Sequence, residues 1–169
     1  MAKSIQVEQG DITTYQVDAI VNAANTTLMG GGGVDGAIHR AAGPALYAAC
    51  EQFHGCPTGE ARITPGFQLP AKYIIHTPGP IWHGGGHGEA ELLSSSYRNS
   101  LQLAEHYHCR TVAFPSISTG VYAFPVERAA QIAIKTIREF LANSHWVQQV
   151  IMVAFDPATK AAYQKALSI

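Results

Sequence analysis

The chain has 169 residues, a net charge of −1, 47% hydrophobic and 14% charged residues. That composition excludes intrinsic disorder, and the near-neutral balance argues against a protein whose main work is gripping a nucleic-acid backbone, which needs a basic face. A chain this long favours one compact domain and buries roughly 70% of its unfolded surface, enough for a real core.

The start, Met1 to Gln6, has no apolar signal core, and no apolar run reaches the length that spans a bilayer. Cys50, Cys56 and Cys109 are odd in number and form no C-x-x-C pair, so free thiols in a reducing compartment are expected. These features predict a soluble, cytoplasmic protein, and no cofactor is expected.

The first apolar run predicts a strand over Ile5–Gln9, followed by Gly10-Asp11-Ile12. A buried carboxylate at a strand end accepts from an exocyclic amine, and the next N–H donates to a ring nitrogen; the competing reading of Asp11 is an Asx turn. A second strand, Ala19–Ala23, runs into Asn22-Ala-Ala-Asn25, then four consecutive glycines, Gly30–Gly33, then a helix with Val34, Ile38, Ala41 and Ala42 on one face. Glycines opening a helix bare N–H groups to an anion. The run is either such a cradle or a mobile connector, but connectors carry serine and charge, whereas Leu28, Met29 and Val34 flank this one. Gly31, Gly33 and Gly36 match G-x-G-x-x-G only formally. They do not follow the strand directly, Glu51 at the right distance lies in a helical pattern, and no Gly-Lys-Ser/Thr follows.

Asp35 repels an anion held by those amides, so its place needs a reason. It is either a first-turn aspartate favoured by the helix dipole or a general base that polarises a water beside the ligand. Asn25 donates and accepts at once, which suits a ribose diol, although loop asparagines also simply make turns. Asn22 ends its strand and reads as structural, as does His39, four residues beyond Asp35 on the same helix face.

Further strands are expected at Ala61–Thr64, Tyr73–Thr77, Thr111–Pro115 and Gln149–Phe155, with turns at Pro65 to Pro70 and a flexible, exposed loop at His83 to His87. The near-continuous apolar runs suit strands covered on both faces. Leu93, Tyr97, Leu101 and Ala104 mark one helix. Ala129, Ile132, Ala133, Thr136, Ile137 and Phe140 mark another, and Asp156-Pro157 opens the last as N-cap and first helical residue. Strands alternating with helices predict a three-layer α/β/α sandwich.

Pro115 to Pro125 forms a second strand–loop–helix junction, where Ser118, Thr119 and Gly120 offer hydroxyls and amides to a phosphate, or make an ordinary turn. Neither loop contains Lys or Arg, which points to backbone recognition of a diphosphate. Tyr122 packs over a sugar or lies in the core. His83 and His87 have no carboxylate or cysteine at ligand spacing, so no metal is expected. The cysteines lack a His partner signature and no G-x-S-x-G is present, which disfavours cysteine and serine nucleophiles.

Gly10-Asp11-Ile12-Thr13, Val21 to Asn25, Gly30 to Arg40 and Ser116 to Tyr122 together resemble the macrodomain family, in particular its MacroD-type branch, and the chain looks like a bacterial stand-alone member. The resemblance implies a single macrodomain over residues 1–169 with a mixed, mostly parallel six-stranded sheet, and ADP-ribose bound across the strand ends. It implies Asp11 on the adenine amine and the Ile12 amide on the ring. It implies Gly32, Gly33, Val34 and the loop of Ser118, Thr119, Gly120, Val121 and Tyr122 around the diphosphate and distal ribose, and Phe155 against adenine unless that residue is core. The implied reaction is ester hydrolysis at the distal ribose, on O-acetyl-ADP-ribose or ADP-ribose attached to acidic side chains of proteins, with Asp35 as base and Asn25 orienting ribose or water. The rival classes are a module that binds ADP-ribose without cleaving it and a regulatory protein that binds a nuclease or RNA. No basic stripe with interleaved aromatics supports direct RNA binding.

Overall fold

The computed structural model describes residues 2–169; Met1, the first residue of the expected single domain, lies outside them. Six strands form one sheet: β1 (Ser4–Gln9), β2 (Ala19–Ala24), β3 (Arg62–Pro65), β4 (Tyr73–Pro78), β5 (Thr111–Phe114) and β6 (Gln149–Ala154). Five α-helices complete the fold: α1 (Gly33–Ala42), α2 (Ala45–Glu51), α3 (Glu89–His106), α4 (Val126–Leu141) and α5 (Pro157–Ser168). The sheet order is β1-β6-β5-β2-β4-β3, parallel except for β3, which pairs antiparallel with β4 at the edge. This is the expected mixed, mostly parallel sheet.

Side chains alternate across the sheet with the period of two that strands impose. Val21, Ile75, Phe114, Val150 and Met152 join Leu93, Tyr97, Ala133 and Tyr163 in a core beneath α3, α4 and α5. Ile20, Ile74, Ala113, Ile151 and Val153 face the other way, onto Ile38, Ala42, Leu46 and Cys50 of α1 and α2. Both faces are therefore covered, which is why β5 and β6 read as unbroken apolar runs. The short helix α2 is an element that the sequence reading does not separate. β5 and β6 each end one residue earlier than expected, leaving Pro115 and Phe155 outside the ladder. Asp156 does cap α5, accepting from the Thr159 amide at 2.8 Å with Pro157 at the first turn.

The structure adds a constraint that the sequence reading lacks. The His83 to His87 loop is exposed but tied down. Glu89, buried at the start of α3, accepts from the backbone N–H groups of His83 and Gly85 on one carboxyl oxygen and of His87 on the other. Burial pushes the Glu89 pKa up, but these backbone amides more than offset it and bring it down to about 2. A single carboxylate thus holds three backbone N–H groups of a loop that its glycines alone leave unconstrained.

Chain order reverses direction between β5 and β2. From β5 the chain continues to β6 on one side, and from β2 it continues to β3 and β4 on the other. Ligand crevices of open parallel sheets form outside the carboxyl ends of strands at such a switch point.

Candidate functional site

The exit loops of β1, β6, β5 and β2 lie side by side along the carboxyl edge of the sheet, because those strands are neighbours in that order. Asp11 follows β1, Phe155 follows β6, Ser116 to Tyr122 follow β5, and Asn25 to Val34 follow β2. With strands about 4.8 Å apart, the row from Asp11 to Asp35 spans roughly 14 Å. The sheet thus gathers the sequence-predicted residues into one line.

At the β1 end the Gly10 amide donates to Ala154 O at 3.0 Å and joins the two exits. Asp11 is exposed, not buried as its proposed role suggested, since a one-turn 3-10 helix at Ile12–Thr14 carries it out to the surface. Its Oδ1 accepts from the Thr13 amide at 3.0 Å and the Thr13 hydroxyl at 2.7 Å, which is the Asx turn. The Ile12 side chain is core, and its N–H opens the turn, where helical geometry provides no partner. Phe155 is 91% exposed, so it is not a core residue.

The loop after β5 is braced from below. Tyr97 Oη accepts from the Ile117 amide at 3.2 Å, and Tyr163 Oη lies 2.8 Å from Ser116 Oγ. The Thr119 hydroxyl is engaged inside the loop, 2.7 Å from Ser116 Oγ, which leaves backbone amides as the groups presented outward. Ser118 Oγ is buried without a partner, and Ser118 has a φ of +68°, a left-handed conformation that costs a non-glycine residue about 1 kcal/mol. Gly79 makes room for it, because a Cβ there would lie 2.2 Å from Ser118 Oγ. Val121 is 100% exposed, and Tyr122 is half-buried, neither core nor free.

The loop after β2 is folded by Asn25. Its Oδ1 accepts from the Leu28 amide at 3.1 Å and the Thr27 hydroxyl at 2.7 Å, and its Nδ2 donates to Gly30 O at 2.9 Å. The turn reading of Asn25 therefore holds in the structure, and one amide hydrogen is left for a ligand. Gly32 caps α1 with no side-chain hydrogen bond, so the first-turn amides, Val34 among them, have no capping side chain, and a Cβ at Gly32 or Gly33 would meet nothing within 4 Å. A Cβ on Gly31 would lie 3.1 Å from Asp35 Oδ2 and 3.4 Å from Asn25 Nδ2; the two side chains converge there.

Asp35 itself is 4% exposed. Asn22 Nδ2 donates to its Oδ1 at 2.8 Å, and His39 Nε2 lies 3.4 Å from the same oxygen without hydrogen-bond alignment. Burial raises the Asp35 pKa above the usual carboxylate range, and the Asn22 amide and the His39 ring oppose that shift. A carboxylate so destabilised is a better proton acceptor than a free one while it stays ionised.

Behind Asp35 lies a polar cluster that the sequence reading misses. Asn22 Nδ2 also lies 3.1 Å from His76 Nδ1, and His76 Nε2 lies 3.0 Å from Thr64 Oγ1. Asn22 and His76 are register partners in β2 and β4. The available signal was a histidine inside the apolar strand Tyr-Ile-Ile-His-Thr-Pro, since a buried polar side chain demands partners. Burial, with the His39 ring adding to it, pushes the His76 pKa down to about 3, so the ring is neutral. Cys50, 3.8 Å from His76 Nε2, is pushed up to about 11 by burial and by Asp35, and stays a thiol. Among the described residues, no group of three His, Cys, Asp or Glu side chains is placed to hold a metal ion, and no helix is long and apolar enough to cross a membrane.

The Macro domain family model matches residues 21–133. A Macro domain-containing protein of Chlorobaculum tepidum is 63% identical over 164 residues, covering 97% of this chain and 95% of its own. A Salmonella newport protein named O-acetyl-ADP-ribose deacetylase is 55% identical over 172 residues, covering 99% and 96%. Among solved structures, a mutant of the Oceanobacillus iheyensis macrodomain with ADPR superposes with a TM-score of 0.91 at 46% identity, covering 96% of this chain and 90% of that one.

Proposed function

The chain belongs to the Macro domain family, and from that premise we propose that it binds ADP-ribose and hydrolyses esters at the distal ribose. The substrate class is O-acetyl-ADP-ribose and ADP-ribose attached to acidic side chains of proteins; the whole of residues 1–169 acts as one macrodomain, in the cytoplasm. The observation that carries the proposal is the buried Asp35, held by Asn22 and converging with Asn25 on Gly31, beside the uncapped amides of α1.

In this reading the ligand lies along the row of strand ends. Adenine rests on Phe155, with Asp11 Oδ2 accepting from its amine and the Ile12 amide donating to its ring. The diphosphate takes the amides of Gly32, Gly33 and Val34 on one side and of Ser118, Thr119 and Gly120 on the other, favoured by the positive end of the α1 dipole. Val121 and Tyr122 flank the sugar and phosphate. The distal ribose then sits over Gly31. A water attacks the ester carbonyl, Asp35 accepts the water's proton, the acid departs, and the ribose hydroxyl recovers a proton.

The test is a hydrolysis panel of O-acetyl-ADP-ribose, glutamate-linked ADP-ribose, arginine-linked ADP-ribose and the terminal phosphate ester. Turnover of the first two with little on the arginine linkage is expected. Tight ADP-ribose binding with no product from any of them assigns the chain to the non-catalytic readers instead. A related expectation concerns Phe155→Ala. A base stacked on an aromatic ring is worth about 1–3 kcal/mol, so ADP-ribose affinity measured by calorimetry falls by about 5- to 150-fold. The melting temperature stays within a degree or so, because the ring is already in solvent.

A further inference from the structure

We infer that His76 is a positioning residue for Asp35, acting through Asn22 by dictating which way the Asn22 amide points. The inference rests on the proposed role of Asp35 and adds two residues to it. The side-chain nitrogen of Asn22 makes both contacts, donating one hydrogen to Asp35 Oδ1 at 2.8 Å and the other to His76 Nδ1 at 3.1 Å. An amide nitrogen has only hydrogens to offer, so His76 Nδ1 carries the lone pair and the ring proton sits on Nε2, where it donates to Thr64 Oγ1 at 3.0 Å. Among the described residues, Asn22 Oδ1 is buried with no hydrogen-bond partner. Nothing on the oxygen side therefore fixes the amide; its orientation is held only by the two acceptors that face its nitrogen.

The consequence follows from the alternative rotamer. A flipped Asn22 presents a carbonyl oxygen to the Asp35 carboxylate, which repels the ionised form and welcomes the proton. The lone pair of His76, sitting in the register position opposite Asn22, excludes that flip because it also requires an N–H. In this tautomer the hydroxyl of Thr64, on the edge strand β3, accepts from the Nε2–H and keeps that buried donor satisfied. The groups facing Asp35 are few: Asn22 from β2, Asn25 from the loop that follows it, and His39 from its own helix, with His76 on β4 and the Cys50 thiol on α2 behind them.

Two substitutions separate the acceptor from mere bulk. In His76→Asn the side-chain oxygen falls near the position of Nδ1 and still accepts from Asn22. In His76→Gln the polar end falls near Nε2 and serves Thr64 instead. Asp35 titration is followed through its side-chain carboxyl 13C shift, which needs no turnover, alongside the pH profile of kcat/KM on O-acetyl-ADP-ribose and ADP-ribose affinity. His76→Gln is expected to raise the Asp35 midpoint by about one pH unit and move the acid limb of kcat/KM upward with it, so that the rate on that limb falls about tenfold, with ADP-ribose affinity unchanged. His76→Asn is expected to keep the wild-type midpoint and limb. Should His76→Gln fail to fold, Thr64→Val removes the acceptor for the Nε2–H and is expected to shift the midpoint in the same direction. Wild-type midpoints in both His76→Gln and Thr64→Val, or equal shifts in His76→Asn and His76→Gln, overturn the inference. Absence of turnover in the unaltered protein overturns the proposed hydrolysis and leaves the carboxyl titration to decide the role of His76.

Discussion

Asp35→Ala is expected to lower kcat on O-acetyl-ADP-ribose by about 10²–10⁴-fold, the usual loss when a well-placed base is removed, while ADP-ribose still binds. Binding survives in the proposed pose because the amides of α1 and of the β5 exit loop, not the carboxylate, take the diphosphate there, and removing a negative charge next to them relieves repulsion. Wild-type turnover in the variant refutes the assignment. Asp35→Asn sharpens the result. It retains an acceptor for the Asn22 amide but cannot take a proton, so a loss comparable to alanine identifies proton transfer, whereas substantial retained rate identifies placement of the water. Asp35→Asn is also expected to melt higher than the unaltered protein at pH 7. Folding raises the Asp35 pKa, so the stability linked to its protonation is present below the ordinary value of 3.8 and lost as pH rises through the folded pKa. At neutral pH the ionised group is therefore a cost of the fold, and the advantage of Asn disappears on acidification below pH 4.

The second large effect concerns acid. His76 has a folded pKa of about 3 against an ordinary 6.5. A depressed folded pKa means stability that is present above 6.5 and lost as pH falls, because the unfolded chain takes a proton that the buried ring refuses. The loss approaches about 1.4 kcal/mol per pH unit once pH is well below 6.5. His76→Asn has no such proton, so urea-unfolding free energies measured from pH 7 to pH 4.5 fall less steeply for it than for the unaltered chain. Asp35 acts in the opposite sense in the same acid range, but it is present in both proteins and cancels in the comparison. Parallel slopes show that the ring is hydrated or already charged in the fold.

Much of the architecture was legible along the chain because its causes are local. The glycines that open α1 are followed at once by its apolar stripe, and Asp156-Pro157 caps the last helix by itself. Leu93, Tyr97, Leu101 and Ala104 are all buried because an α-helix brings residues at that spacing to one face. The row of site residues was legible through the motifs that carry the macrodomain resemblance, and the sheet order explains why they form a row.

The misreadings share a cause. Asp11 sits at a strand end, where sequence gives no sign of whether a side chain turns into the core or out to solvent. Three glycines between two histidines read as mobile because the carboxylate that binds their backbone belongs to the next helix. Asn22 read as a strand terminus because its partner, His76, is 54 residues away.

The sequence by itself determined the alternation of strands and helices, the glycine junction that opens α1, and the presence of Asp35 in its first turn. Only the tertiary structure decided that β2 and β4 pair in the register that sets Asn22 against His76. It alone placed Glu89 under the His83 to His87 loop and left Phe155 in solvent. Helix periodicity and capping arise among residues a few positions apart. Register, long-range hydrogen bonds and burial arise only when distant segments meet.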